Sequence, residues 1–221
     1  MELSFTIENI TYSFIADKYT SLALDVRPNA TDQPSCFHLP SAIAAPFTTG
    51  IFTASVDAGA SINCSIISSL CPHSNGTHTE CVGHVLPGSI TLKDIIPLPT
   101  FLPAVILTIQ PILYSSLPTI EQINYPSGQP NDYVINSTIL QQALDKVILE
   151  QLPILSVSPK SFLKSGALII RTLPNTDTKR HQQYGSTNPP YFTGTATQWA
   201  VDHGVQHLLL DLPSTDREVS I

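Results

Sequence analysis

Nineteen prolines divide this chain into short runs, and several fall where a long helix would otherwise form. The most apolar stretch, Ile96 to Leu113, is cut by Pro97, Pro99, Pro103 and Pro111. A proline inside a helix removes an amide donor and clashes with the preceding turn, so this run reads as buried strand and loop. A bilayer-spanning helix needs about 20 uninterrupted apolar residues, which the run does not supply. The N-terminal MELSFTIENITYSF has neither a cationic leading segment nor a continuous apolar core, so it does not read as a secretory signal. A cytoplasmic chain with reduced thiols is expected. The five Asn-x-Ser/Thr sequons, at Asn9, Asn29, Asn63, Asn75 and Asn136, then carry little meaning.

Between the prolines, two segments keep helical spacing. In Thr138 to Gln151, Leu140, Ala143, Leu144, Val147, Ile148 and Gln151 form one buried stripe. Asn136 or Ser137 can cap its first turn, and Pro153 lies past its end. A shorter helix is expected from about Thr195 to His203, closed by Gly204 in left-handed geometry. Strands are expected at Ala54 to Ile67, Ala104 to Ile109 (fully buried), Ala167 to Thr172 and His207 to Leu212. Strand and helix alternate, which favours crossover connections and partly parallel pairing. Tyr125 to Asp132 and Asn175 to Pro190 read as loops, the second as a candidate lid.

Composition narrows the function. With 221 residues, 42% hydrophobic and 12% charged, the chain can bury a sizeable core and fits one domain over 1–221. The net charge is −7, and the ten Lys and Arg are scattered, only Lys179 and Arg180 being adjacent. No basic stripe is available for a phosphate backbone, which argues against a nucleic-acid partner. Four cysteines, Cys36, Cys64, Cys71 and Cys81, are too few for a disulfide scaffold at this length.

The chemistry concentrates in LCPHSNGTHTECVGHV, Leu70 to Val85, which holds His73, His78 and His84, three of the seven histidines. On a strand from Thr77 to His84, residues His78, Glu80 and His84 share parity and face one side. His78 and Glu80 would lie about 6.6 Å apart along the chain, close enough to lean over one ion. Two imidazoles and a carboxylate suit zinc, manganese or a similar divalent metal. His73 has the wrong parity, unless Asn75-Gly76 adopts positive φ and bulges the chain. Three other readings stand beside this one. The segment can be a solvated histidine loop, a structural zinc site using Cys71 and Cys81, or a Cys81–His nucleophilic pair.

HSNGTHTECVGH resembles the signature of the putative cyclase family, the metal-dependent hydrolases that include bacterial kynurenine formamidase and isatin hydrolase. That signature runs His-x-Gly-Thr-His-x-Asp-x-Pro-x-His, and Gly76, Thr77, His78, Glu80 and His84 fall in register. LPAVILTI, ALIIRT and YFTGTATQWAVDHGVQHLLLDLPSTDRE are similar to further family segments, so the likeness runs from about Ile62 to Glu218. It implies an α/β fold of the kynurenine formamidase type (a swivelling β/β/α mixed sheet with packed helices). The implied activity is arylformamidase-like hydrolysis of a C–N bond in a small amide, formamide or lactam, as in tryptophan catabolism by way of kynurenine. One or two divalent ions, zinc or manganese, would serve it, and the resemblance also implies a homo-oligomer without membrane partners. His78 would be a metal ligand, Glu80 a ligating or bridging carboxylate, His84 the proton shuttle, and His73 a further ligand. His84 is suited to that role because imidazole titrates near neutrality.

Three positions depart from the signature. Glu80 replaces Asp, Val82 with Gly83 replaces the proline segment and should loosen the loop, and Ser74 stands where the first histidine belongs, with His73 one residue early. The family places a further His and Glu after the segment matched by DLPSTDRE, so the C-terminal strands and ligands are expected beyond Ile221. A catalytically impaired metal-binding or interaction domain is the alternative function, and a mononuclear lyase or isomerase a third. Elsewhere, Asp211 and Asp216 read as capping or turn residues, His207 as a core histidine and His203 as a solvated partner of a helix C-terminus. Trp199 reads as core, Arg180 and His181 as solvated loop residues first and substrate contacts second, and Cys36 and Phe37 as pocket-lining candidates.

Overall fold

The computed structural model describes residues 1–7, 9–88, 90–95, 101–124, 127–151, 163–164 and 166–218. The chain divides into two compact units. The first comprises Met1–Ser21, Glu80–Thr176 and Asn188–Ile221, and the second Leu22–Thr79 with Asp177–Thr187.

The first unit is built on a parallel three-stranded sheet, with Ala167–Thr172 between Ala104–Ile109 and His207–Leu210. Helix Ser137–Gln151 packs on Ala104–Ile109 and against helix Gly194–Asp202. The expected order of strand, helix, strand, helix, strand is therefore present with parallel crossovers. Val105, Leu107 and Ile109 meet Leu168, Ile170, Leu140, Leu144 and Trp199 in one buried cluster. Asn136 caps the longer helix, its Oδ1 accepting from the Ile139 amide at 3.1 Å. Gly204 takes the expected left-handed turn, φ 69°, just past the shorter one.

Ala104–Ile109 is not fully buried. It pairs with Ala167–Thr172 alone, so it is an edge strand among the described residues, and alternate side chains face outward, Ile106 being 51% exposed. A second small sheet joins Ile112–Leu113, Tyr133–Ile135 and Tyr191–Phe192. An antiparallel hairpin, Glu2–Ile7 with Ile10–Ile15, turns at Asn9 with φ 66°. The architecture is thus mixed α/β with several small sheets.

In the second unit the long strand expected over Ala54 to Ile67 is absent. A 3₁₀ turn occupies Val56–Ala58 and closes on Gly59 at φ 89°, leaving Ser65–Ser68 to pair with Ile43–Pro46. The Asn63 side chain accepts from the Val56 amide at 2.8 Å, so the intervening residues close on themselves rather than extend. The Asp177–His181 part of the second loop forms a 3₁₀ helix. Pro153 lies outside the described residues. No helix among the described residues is long and apolar enough to cross a membrane.

One buried charge organises the first unit. Asp132 is 2% exposed and accepts from the Gln129 amide at 2.8 Å, Asn188 Nδ2 at 2.7 Å, the Tyr191 hydroxyl at 2.7 Å and Arg217 Nε at 2.7 Å. Burial alone would raise its pKa, but these hydrogen bonds, Arg217's foremost, outweigh it and hold the carboxyl well below the ordinary carboxylate range. A folded pKa below the unfolded one stabilises the fold above the unfolded value of about 3.9. That contribution is lost as pH falls through the folded pKa. Asp132→Asn should therefore cost about 3 kcal/mol or more at neutral pH. It should also flatten the acid limb of stability against pH below about pH 4, as read by urea unfolding.

Candidate metal centre

The boundary between the units falls between Thr79 and Glu80, so His73 and His78 belong to the second unit and Glu80 and His84 to the first. The expected strand from Thr77 to His84 is absent: the chain is irregular to Cys81 and then forms a 3₁₀ turn, Val82–His84. Parity along a strand therefore does not organise the histidines.

In the second unit, Pro72–Asn75 is a single helical turn with Pro72 at its start, where the missing amide costs nothing. It is fastened from inside. Ser74 Oγ accepts from the Cys36 amide and donates to the Cys36 carbonyl, both at 3.1 Å. The Asn75 side chain accepts from the Cys71 amide at 3.0 Å and donates to the Pro40 carbonyl at 3.4 Å. Ser74, at the signature's first histidine position, is 7% exposed and committed to this anchoring. Gly76 is extended, φ −152°, so the expected bulge does not occur. The helical turn itself presents His73, whose ring lies 4.7 Å from that of His78, edge to face.

His78 Nδ1 lies 3.0 Å from the Gly76 carbonyl oxygen. A carbonyl only accepts, so Nδ1 carries the proton and Nε2 is the acceptor nitrogen of the ring. A metal-ligating imidazole is commonly oriented by such a hydrogen bond to a carbonyl.

In the first unit, His84 Nε2 lies 3.9 Å from Glu80 Oε1, both side chains partly exposed. The 3₁₀ turn gives this approach at i, i+4 spacing. Gly83 is required there: a Cβ would run into the Ile90 carbonyl. The loop is thus tight at the position where the signature's proline is lost, rather than loosened. Glu80 and His84 thus offer a carboxylate oxygen and an imidazole nitrogen on one side of the boundary, and His73 and His78 two imidazoles on the other. All these donors are nitrogen or oxygen, the set that zinc and manganese accept.

A family model described as putative cyclase matches residues 1–217. The chain belongs to the putative cyclase family. No curated protein and no solved structure matches it. The match includes the N-terminal hairpin, upstream of the segment from Ile62 that the motif likeness covered.

The other sequence candidates resolve into structural roles. Asp211 accepts from the Thr172 amide and hydroxyl at 2.9–3.1 Å, tying two parallel strands together. Asp216 donates its amide to Ser214 Oγ at 3.0 Å within a turn. Trp199 is buried as expected, and its indole donates to Gln141 Oε1 at 3.0 Å. His203 stacks on Trp199, ring centroids 4.0 Å apart, and its Nδ1 donates to the Trp199 carbonyl; it is a packed cap rather than a solvated one. His207 is half-buried rather than core, because its short strand is an edge. Cys36 is buried with Sγ donating to the His73 carbonyl at 2.8 Å, and Phe37 is 40% exposed. All four cysteines are free thiols. Sequence reasoning missed Asp132, Gly83 and the carbonyl that orients His78. None stands in a recognisable pattern, since each role depends on a partner's position.

Gly83→Ala should displace the Val82–His84 turn and cost about 1–3 kcal/mol, as overpacking does. A lowered unfolding midpoint together with weakened zinc uptake is the expected result, measured by thermal unfolding and metal titration on the same variant.

Proposed function

We propose that this chain is a metal-dependent hydrolase of a C–N bond in a small amide, formamide or lactam, with arylformamidase-like chemistry. The observation that carries the reading is His78, fixed by the Gly76 carbonyl inside a segment that holds the family signature. His78, Glu80 and His73 would hold a divalent ion, zinc or manganese. When bound, such an ion lowers the pKa of a coordinated water toward neutrality and polarises a carbonyl. His84 would carry the proton to the leaving nitrogen, and its 3.9 Å approach to Glu80 keeps its ring beside that carboxylate. The proposal extends to one kynurenine formamidase-like domain over 1–221, a homo-oligomer located in the cytoplasm, and a neutral or charged small-molecule amide as substrate.

A second reading follows from the same 3.9 Å distance: two donor atoms this close can share an ion, which would make His84 a ligand. Mutation separates the two. His84→Ala should retain metal and lose about 10²–10⁴-fold in rate, the usual worth of general acid–base help, whereas His78→Ala and Glu80→Ala should lose the metal too. Loss of metal in His84→Ala with the fold intact would reassign His84 to the ligand set.

Removing metal should abolish amide and lactam hydrolysis, and adding Zn²⁺ or Mn²⁺ should restore it. Hydrolysis indifferent to chelator contradicts the proposal outright.

A further inference from the structure

Asn75-Gly76 is the chain's one Asn-Gly step, and the fold of the second unit encloses it. Asn75 is 1% exposed. Its Oδ1 accepts from the Cys71 amide at 3.0 Å, and its Nδ2 donates to the Pro40 carbonyl at 3.4 Å. The Gly76 amide donates to the Pro72 carbonyl at 3.4 Å and closes the single helical turn. Ser74, bonded to both backbone groups of Cys36, fastens the same turn one residue earlier.

An asparagine followed by glycine carries its own reactant. The glycine nitrogen can attack the asparagine Cγ, because no side chain on the glycine stands in the way. The new N–Cγ bond closes a five-membered succinimide. The side-chain nitrogen leaves as ammonia, taking the proton that the glycine amide gives up. Water then opens the ring at either carbonyl. One opening yields aspartate; the other yields isoaspartate, whose backbone runs through the side-chain carbon and is one methylene longer. The sum is one water taken up and one ammonia released.

The closed turn blocks this reaction. Attack requires the Asn75 side chain to leave Cys71 and Pro40 and swing over the next peptide, and it requires the Gly76 amide to leave Pro72. The products, in turn, do not fit the closed turn. An aspartate can still accept from the Cys71 amide, but it offers the Pro40 carbonyl no donor and leaves a buried charge unmatched. Isoaspartate lengthens the chain just before Gly76, where the fit is close. A Cβ on Gly76 would stand 3.1 Å from a Val26 methyl, and Thr77 Oγ1 accepts from the Leu24 amide at 2.9 Å. Either product therefore loosens the segment that presents His73 and His78.

We propose that Asn75 is a conformation-gated modification site. It is inert while the turn is closed, becomes aspartate or isoaspartate when the turn opens, and thereafter keeps the histidine turn open. The device is a one-way record of opening, and it stands independently of the hydrolase reading.

Peptide mass spectrometry of the full chain, held in mildly alkaline buffer with and without denaturing urea, reads the conversion. Asn75 should convert about tenfold or more slowly in native buffer than in urea, the scale of two buried hydrogen bonds. Ser74→Ala, which removes the neighbouring fastening, should speed conversion in native buffer. In the unaltered chain, conversion across sub-denaturing urea should rise in step with hydrogen exchange at the Gly76 amide, a measurement that holds even where the variant fails to fold. Thiol labelling reads the one-way part. Cys36 is 5% exposed and its Sγ donates to the His73 carbonyl at 2.8 Å. Cys36 should resist labelling in the native chain and label readily in converted chain returned to native buffer. Equal conversion with and without urea, a folded Ser74→Ala that converts no faster, conversion indifferent to Gly76 exchange, or a Cys36 still protected after conversion would each overturn the inference.

Discussion

A carboxylate taken out of water must be matched by donors or it destabilises the fold, and the first unit is arranged around that requirement at Asp132. Its partners come from the chain just before it, from Asn188 and Tyr191, and from Arg217. Segments more than eighty positions apart in sequence are thereby fixed on one group. The consequence passes directly up the chain. Asp132 precedes the Tyr133–Ile135 strand, whose end supplies Asn136, the cap of the helix that covers the parallel sheet. Glu121 secures the same corner, accepting from Asn136 Nδ2 at 2.9 Å and from the Thr195 hydroxyl at 2.6 Å. The starts of both long helices are thus tied to a single carboxylate.

The second unit solves a different problem, holding a polar, histidine-bearing turn on very little apolar mass. Side chains fasten the backbone there. Gln33 donates to the Ala30 and Ala42 carbonyls and accepts from the Ala42 amide, while Ser74 and Asn75 pin the turn that carries His73. Ser74 thus takes an anchoring role at the signature's first histidine position, and the neighbouring His73 carries the imidazole of this turn. Buried hydrogen bonds of this kind favour one backbone conformation strongly, because an unmade bond leaves a desolvated donor or acceptor.

Much of the first unit was legible in sequence because periodicity reports burial. Leu140 and Leu144 mark the helix, and Ala104–Ile109 and Ala167–Thr172 are bounded by the residues that the structure uses. Gly204 marked a stop for a steric reason that holds in any context. The legible part of the site was its residue types and spacing: His78, Glu80 and His84 in register with the family. Their conformation was not legible. Alternation suggested a strand, whereas the chain from Thr77 to His84 contains no regular apolar face to bury, so local hydrogen bonds decide and a turn results. Asp132 looked like one polar residue in a loop because three of its four partners are distant in sequence. Gly83 looked like a loosened position because the carbonyl it accommodates is seven residues away.

The account's central claim is that nitrogen and oxygen donors of the 73–84 segment, not the thiols that flank them, hold a metal ion. X-ray absorption spectroscopy on the zinc-loaded chain tests this most directly. The account predicts a first shell of nitrogen and oxygen at about 2.0–2.2 Å, with imidazole scattering behind it. A sulfur shell at about 2.3 Å would place Cys71 or Cys81 on the metal and contradict it.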